Sequence, residues 1–244
     1  VLRDWSSDVC SSDLRLLSDI LPKDQYRIAK VTSQELTLSH WEENTALVAF
    51  PGGQDIPYHR KLSGIGTHRI KSFVEQGGAY LGICAGAYFG AKSFVFEKGM
   101  EIEVIAEREL GFFPGMAQGS ALGSGKFCYL SEQGAESCEV LWKEQGSDPI
   151  VFYSYFNGGC FFVDPEQYPQ IESLAYYQHA ECKSSAIVLN RIGKGCALLS
   201  GVHFEYSPQN LIKDPKTQHL SELVFQTDAE RIFIAKRIMD LLQL

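Results

Sequence analysis

Short apolar runs alternate with amphipathic segments along this chain, and the alternation predicts the elements of the fold. Residues 79–83 form an apolar run typical of a buried strand, whereas residues 64–75 carry apolar positions at helical spacing. We therefore predict an α/β fold, a three-layer sandwich with a mainly parallel sheet. The predicted strands are residues 26–31, 47–50, 79–83, 101–106, 138–142, 150–156, 174–177, 185–190 and 196–201, and the predicted helices include residues 14–21, 64–75, 85–92 and 230–244.

Two segments depart from this pattern. Residues 1–14 are rich in Ser and Asp and have no clear period, so we expect a non-native or disordered tail there, followed by a single domain over residues 15–244. Residues 110–125 are rich in Gly and Pro, which predicts a long loop over one end of the sheet. Loops of that length often act as lids.

Cys84 falls between the predicted strand 79–83 and the helical residues that follow. Gly82 and Gly86, each two positions away, remove the side chains that would crowd a sharp strand-to-helix turn. Such a nucleophile elbow holds a thiol out of the sheet and beside the first amides of the helix. The alternative is an inert core cysteine, because free cysteines are among the most buried residues.

His203 and Glu205 come directly after another apolar run, residues 196–201. Alone, the histidine would more often be structural and the glutamate a solvated acid. With Cys84 they supply a nucleophile, a base and an acid that orients the base, the three parts of an activated thiol. Since α/β sheets place their chemistry at strand ends, we predict a Cys84–His203–Glu205 triad.

A glycine pair, Gly52 and Gly53, follows the predicted strand 47–50. A loop of this kind can bring its amides close to a reacting carbonyl, so the N–H groups of Gly53 and Ala85 are the candidate oxyanion hole. We predict that Gly52 takes part in substrate binding. Taken alone, a glycine pair is only a turn signal.

Four further residues are candidates for substrate binding. Asp55 and Tyr58 follow the glycine pair and could shape the pocket, although Asp55 could equally cap a helix that begins near Pro57. Tyr155 ends a predicted strand, and Asn157 at the turn offers a donor and acceptors. The alternatives are a tyrosine that covers the core and a hairpin turn at Asn157.

Composition narrows the function further. A net charge of −8 argues against a nucleic-acid partner. No apolar run approaches the ~20 residues that span a bilayer and no signal segment opens the chain, so we expect no membrane partner and a cytoplasmic location. Seven cysteines without a Cys-x-x-Cys pair fit a reducing compartment. The remaining histidines lack metal-ligand spacing, so no metal and no cofactor is predicted.

The cysteine between two glycines, with His203-x-Glu205 downstream, resembles the class I glutamine amidotransferase-like superfamily. The resemblance implies a flavodoxin-like three-layer fold. It also implies that Cys84 attacks the carbonyl carbon of an amide-like or ester-like substrate and forms a thioester. His203 would act as general base and then acid, and Glu205 would orient it.

Three other blocks, residues 50–58, 108–115 and 155–160, are similar to the N-terminal domain of biotin-protein ligases and to its free-standing bacterial relatives. This resemblance extends roughly from residue 16 to the C-terminus. The chain has no synthetase domain that would take up ammonia and no Gly-Arg-Gly-Arg pattern of a biotin ligase catalytic domain. Biotin transfer by this chain is therefore not expected.

The predicted function is that of a cysteine-triad amidase or hydrolase that acts on a small amide or related carbonyl substrate. The expected partners are that small molecule and an unidentified acceptor or biotin-related protein. The alternative is a non-catalytic binding or regulatory module that keeps the elbow for stability. Reaction of Cys84 with an electrophilic glutamine analogue would distinguish the two.

Overall fold

The computed structural model describes residues 10–179 and 182–244 of the 244-residue chain. The α-helices of this part are α1 (Cys10–Ile20), α2 (Ser33–Leu38), α3 (Asp55–Leu62), α4 (Ile65–Glu75), α5 (Ala85–Gly90), α6 (Pro208–Lys213), α7 (Ser221–Gln226) and α8 (Asp228–Leu241). The strands are β1 (Leu47–Phe50), β2 (Ala79–Ile83), β3 (Ala91–Phe96), β4 (Val104–Glu107), β5 (Phe113–Gly119), β6 (Glu136–Trp142), β7 (Ile150–Phe156), β8 (Cys160–Phe162), β9 (Ile171–Tyr177), β10 (Ser185–Ile192) and β11 (Gly195–Ser200).

The strands join in one sheet. Its main path runs β1-β2-β11-β10-β8-β5-β3-β4, and β9, β6 and β7 extend from β10. The strands β1, β2 and β11 are parallel neighbours, with Ile83 opposite Ser200. Beyond β11 the sheet is mixed, since β10 is antiparallel to β11 and β3 is parallel to β5. The α/β prediction is confirmed, and its parallel arrangement holds at the strands that end beside Cys84 and His203.

Helices cover both faces of the sheet, which gives the three predicted layers. Along β2 the side chains alternate, so that Leu81 and Ile83 enter one core and Tyr80 enters the other. The first core also receives residues of α1 and α8, namely Leu16, Leu17, Ile234 and Ile238. The second receives residues of α3, α4 and α5, namely Tyr58, Leu62, Ile70, Phe73 and Phe89.

The N-terminal part differs from the sequence prediction in two ways. Helix α1 begins at Cys10, inside the predicted tail, and Leu14 packs against the first core; residues 1–9 of that tail lie outside the described residues. Residues 26–31 were predicted as a strand, but only Lys30 makes a bridge. The other residues of this segment form no strand, and most of them line a groove of about 560 Å³ together with Leu47 of β1. An apolar run becomes a strand only where a neighbouring strand is within hydrogen-bonding reach.

The predicted loop at residues 110–125 is also wrong in its centre, because β5 pairs with β3 and β8 there. The ladder skips a position between Phe113 and Met116, so a bulge accommodates Pro114 and Gly115, the residues that indicated a loop. The predicted helix 85–92 ends early, because β3 begins at Ala91. Within the described residues, none of the helices has the length and apolar character needed to cross a membrane.

Candidate active site

Cys84 occupies a sharp turn between β2 and α5. Its backbone has φ 51° and ψ −102°, and a positive φ is uncommon for a residue with a side chain. A Cβ on Gly86 would lie 1.9 Å from the carbonyl oxygen of Phe50, and one on Gly82 would lie 2.4 Å from that of Gly86. Both neighbours must therefore be glycine for the turn to close against β1, as the sequence predicted.

The backbone around Cys84 is tied to the sheet and to the helix. Its N–H donates to the carbonyl oxygen of Ser200 at 2.7 Å, and its own carbonyl accepts from the N–H groups of Ala87 and Tyr88. The Sγ atom donates to the carbonyl oxygen of Asn157 at 3.8 Å. Cys84 is only 6% exposed, yet it lines two neighbouring cavities.

His203 and Glu205 follow β11, the parallel neighbour of β2. Because parallel neighbours end at the same edge of a sheet, the segment after Ser200 lies beside the Cys84 turn. His203 Nδ1 and Glu205 Oε1 are 2.6 Å apart, and both side chains are buried. The second carboxylate oxygen, Oε2, is buried and has no hydrogen-bond partner within the described residues.

The surroundings of His203 favour the imidazolium form. Burial lowers the pKa of the imidazole, but the contacts with Glu205 and with Cys84 outweigh this effect and raise the pKa of His203 well above its ordinary value. These contacts favour a proton on the ring that faces the Glu205 carboxylate and the sulfur of Cys84.

Aromatic residues fix the imidazole in place. The His203 N–H donates to the carbonyl oxygen of Tyr155 at 3.0 Å, which pairs the end of β7 with the segment after β11. The rings of Tyr155 and Tyr206 stack with centroids 4.6 Å apart, and each meets the His203 ring at 5.5 Å. Tyr155, predicted as a binding residue, thus lies directly against the predicted base.

Two cavities meet at Cys84. The outer cavity has a volume of about 280 Å³ and the inner one about 50 Å³. Residues that line the outer cavity are Gly53, Gln54, Pro57, Cys84, Phe127, Cys128, Tyr129, Leu130, Ser131, Glu132, Tyr155, Asn157, His203 and Tyr206. The inner cavity is lined by Gly53, Asp55, Ala85, Tyr88, Phe94 and Phe96, among others.

The two predicted oxyanion donors share the inner cavity with Cys84. Gly53 has φ 117°, and Ala85 is the first residue of α5, where the helix itself offers no acceptor to the N–H group. Gly52 is buried and lines neither cavity. Its carbonyl oxygen lies 3.5 Å from the hydroxyl of Tyr58, which donates to that of Pro51 at 3.1 Å.

Tyr58 is fully buried, so it supports the glycine loop and lines neither cavity. Asp55 does line the inner cavity, where its Oδ2 accepts two hydrogen bonds from Arg108 at 2.6 and 2.8 Å. Burial raises the pKa of the Asp55 carboxyl, and Arg108 only partly offsets the shift. Asp55 begins α3, but the cap position is Gln54, so the alternative of a capping side chain is not realised.

Asn157 directly follows β7, and its backbone carbonyl accepts the hydrogen bond from the Cys84 thiol. Its Nδ2 donates to the carbonyl of Ser131 and to Glu132 Oε2, both at 3.3 Å, while its Oδ1 is buried without a partner within the described residues. The alternative of a hairpin turn is wrong, because β7 pairs with β6 whereas β8 pairs with β5 and β10.

The predicted loop 110–125 includes only the first part of the segment that covers the outer cavity. This segment, residues 120–135, is called the roof loop below; it contains neither helix nor strand. Its carboxylate Glu132 accepts from the hydroxyl of Tyr155 as well as from Asn157. Hydrophobic periodicity cannot find such residues, because the segment has none. No group of three or more His, Cys, Asp or Glu side chains within residues 10–179 and 182–244 is placed to hold a metal ion.

Solved structures with a similar fold include glutamine amidotransferases. A structure of glutamine amidotransferase matches with a TM-score of 0.54 at 19% identity, over 88% of this chain and 93% of that one. A chain from the structure of PurLQS from Thermotoga maritima matches with a TM-score of 0.56 at 15% identity, over 92% and 96%. At these identities the likeness shows the fold, which is glutamine amidotransferase-like.

Comparisons of sequence identify the family to which the chain belongs. An uncharacterized protein of Chlamydia muridarum is 39% identical over 207 residues, 84% of this chain and 78% of that protein. A biotin-protein ligase of Schizosaccharomyces pombe is 35% identical over 208 residues, 84% of this chain but only 32% of the ligase. The family model described as biotin-protein ligase, N terminal, matches residues 5–244. The chain therefore belongs to the family of biotin-protein ligase N-terminal domains.

Proposed function

We propose that the chain is a thiol amidase or hydrolase of the glutamine amidotransferase-like type, which acts on a small amide or related carbonyl substrate. The observation that carries the proposal is the 2.6 Å contact between His203 and Glu205 beside an elbow cysteine that lines a cavity. Because Glu205 engages Nδ1, Nε2 is the ring nitrogen that remains to exchange a proton with Cys84.

In this mechanism the sulfur of Cys84 attacks the carbonyl carbon and His203 holds the proton of the thiol. The negative charge that develops on the carbonyl oxygen is stabilised by the N–H groups of Gly53 and Ala85. The carbon–nitrogen bond then breaks, His203 gives its proton to the leaving nitrogen, and a thioester remains. Water then attacks the thioester with His203 as base, the carbon–sulfur bond breaks and a carboxylic acid is released, and His203 returns the proton to the sulfur of Cys84.

The proposal extends to partners and location. The name of the fission-yeast relative leads us to propose a biotin-related protein as one acceptor or partner, although the match covers about a third of that ligase and ligase activity is not assigned. Within the described residues Cys84 is one of six free cysteines. A catalytic thiol needs reducing surroundings, so a cytoplasmic location is part of the proposal.

The test is covalent labelling with an electrophilic glutamine analogue at neutral pH, followed by peptide mapping. We expect Cys84 to be modified first, ahead of the exposed Cys128 in the same cavity wall. Turnover of metabolite mixtures by the wild-type protein and by Cys84→Ser should then differ in the amide that disappears. Cys128→Ser is the matched control, and it should behave as the wild type does.

Equal labelling of Cys84 and Cys128 would contradict the proposal. A metabolite that binds without turnover, equally to the wild type and to Cys84→Ser, would favour the binding-module alternative.

A further inference from the structure

The charges around the outer cavity are unbalanced. Among the described residues that line it, Glu132 is the only carboxylate and none is a lysine or arginine. Lys126, the lysine of the roof loop, reaches instead the carbonyl of Leu122 at 2.8 Å and Glu136 at 3.3 Å. At the base of the cavity His203 Nδ1 lies 2.6 Å from Glu205 Oε1, so a proton on the ring is balanced locally by that carboxylate.

The Glu132 carboxylate is positioned as an acceptor. Both of its side-chain hydrogen bonds, from the Tyr155 hydroxyl and from Asn157 Nδ2, reach Oε2. Burial, with a further contribution from Glu132, raises the pKa of the Tyr155 phenol well above its ordinary value, so the phenol keeps its proton and donates. Within the described residues no hydrogen bond reaches Oε1, which keeps its lone pairs for a ligand.

The walls beside this carboxylate are aromatic. Phe127 and Tyr129 on the roof loop, together with Tyr155 and Tyr206 below, line the same cavity. Aromatic faces attract cations, and a carboxylate among them adds a charge-assisted hydrogen bond to an ammonium group. An anionic ligand would meet Glu132 with no lysine or arginine to balance it.

A single residue connects this carboxylate to the thiol. The backbone carbonyl of Asn157 accepts from Cys84 Sγ, while its Nδ2 donates to Glu132. A ligand bound to Glu132 therefore extends only a short way before its other end reaches the sulfur. In a cavity of about 280 Å³ this spacing suits a small molecule with one positive group.

We infer that the substrate of the proposed thiol reaction is a small amide that carries an ammonium group, which Glu132 binds while Cys84 attacks the carbonyl. Glu132 is thus a residue that determines specificity. The inference rests on the proposed function, and it adds the class of substrate.

The test uses three chloroacetamides of similar size that differ in charge. Their substituents on the amide nitrogen are 2-aminoethyl, 2-hydroxyethyl and carboxymethyl, which are cationic, neutral and anionic at pH 7. In each case the sulfur of Cys84 displaces chloride, so one carbon–sulfur bond forms and one carbon–chlorine bond breaks. Rates at Cys84 are measured by peptide mapping and divided by the rates with N-acetylcysteine, which removes differences in intrinsic reactivity.

We expect the cationic reagent to modify Cys84 about tenfold faster than the neutral one, and the anionic reagent to be slowest. Glu132→Gln, which keeps the shape of the side chain, should abolish this preference. Glu136→Gln is the matched control, because it removes a carboxylate that pairs with Lys126 outside the cavity lining, and it should retain the preference.

Equal rates for the three reagents with the wild-type protein would overturn the inference about substrate class and leave the thiol chemistry standing. A preference that persists in Glu132→Gln would overturn the role of Glu132. If none of the reagents modified Cys84, the proposed function itself would fail and the inference with it.

Discussion

The two sides of the outer cavity are built differently. One side, called the floor here, consists of Cys84 after β2 and the His203–Glu205 pair after β11. It rests on a parallel ladder of backbone hydrogen bonds, in which Cys84 N–H itself donates to Ser200. The other side is the roof loop, residues 120–135, which is attached largely through side chains.

The attachments of the roof loop are few and specific. Phe127 meets Phe96 with ring centroids 5.2 Å apart, the N–H of Gly125 donates to Glu97 at 2.5 Å, and Glu132 accepts from Tyr155. A backbone ladder constrains every residue along it, whereas side-chain anchors depend on which residues are present. Under the proposed function, the floor would carry out the thiol chemistry and the roof loop would select the ligand.

The largest effect is expected from His203→Ala on the floor. Loss of the general base should reduce turnover by about 10²–10⁴-fold and slow the alkylation of Cys84 at neutral pH. Glu205→Gln should cost less, because the carboxylate acts through the imidazole. The measurement is the pH dependence of the alkylation rate in both variants, with circular dichroism to confirm folding. If the His203→Ala profile overlaid that of the wild type, the triad assignment would be wrong.

The next effect is expected from Gly53→Ala. With φ 117° at this position, an alanine is strained by about 1–3 kcal/mol, and the displaced loop should lose its oxyanion donor. Turnover should fall by about 10²–10³-fold. Gly146→Ala is the matched control: its φ is 84°, and a Cβ there would meet nothing within 4 Å. The control should show similar destabilisation with normal turnover; equal activity of the two variants would remove Gly53 from the site.

The floor could be predicted from sequence because local patterns encode it. The apolar run that ends at Cys84 gives the strand, and the spacing of Gly82 and Gly86 gives the turn, since a Cβ at either position would collide with backbone. His203 and Glu205 follow an apolar run in the same way. These signals arise from contacts between residues that are close in sequence or at the ends of neighbouring strands.

The contacts of the roof loop could not be predicted, because they join residues far apart in the sequence and follow no periodic pattern. Glu132 meets residues 23 and 25 positions further along the chain. Likewise, Arg108 pairs with Asp55 across 53 positions, and neither residue alone indicates the other. The strand β5 was missed for a related reason: its local Pro114–Gly115 signal indicates a loop, and only pairing with β3 and β8 overrides it.

A smaller effect is expected on the roof side from Tyr155→Phe. The ring that packs on His203 remains, while the hydroxyl that donates to Glu132 is lost. The half-saturating concentration of the cationic chloroacetamide should rise roughly fivefold, with little change in the maximal rate at Cys84. Tyr153→Phe is the control. The hydroxyl of Tyr153 also donates to a carboxylate, Glu139, at 3.0 Å, but Tyr153 lines neither cavity. A fall in maximal rate instead would place the Tyr155 hydroxyl with the floor.

The smallest effect is expected in stability as a function of pH. Burial lowers the folded-state pKa of His203, but the contact with the Glu205 carboxylate, supported by Cys84, outweighs this effect and raises the pKa. Its stabilising contribution is therefore complete below the unfolded value of about 6.5 and is lost as pH rises through the folded pKa. The melting temperature of the wild type should exceed that of His203→Gln most near pH 6 and least at alkaline pH. Each kcal/mol that the pair adds to the free energy of unfolding corresponds to an increase of about 2–4 °C in melting temperature.

The partners of His203 sharpen this last expectation. Glu205→Gln should remove more of the pH-dependent difference than Cys84→Ser does, because the Glu205 charge contributes more to the raised pKa. His219→Gln, at an exposed histidine, should follow the wild-type curve. A difference that grew with rising pH would mean that the imidazole is held neutral in the folded protein. The floor would then lack a charged His203–Glu205 pair.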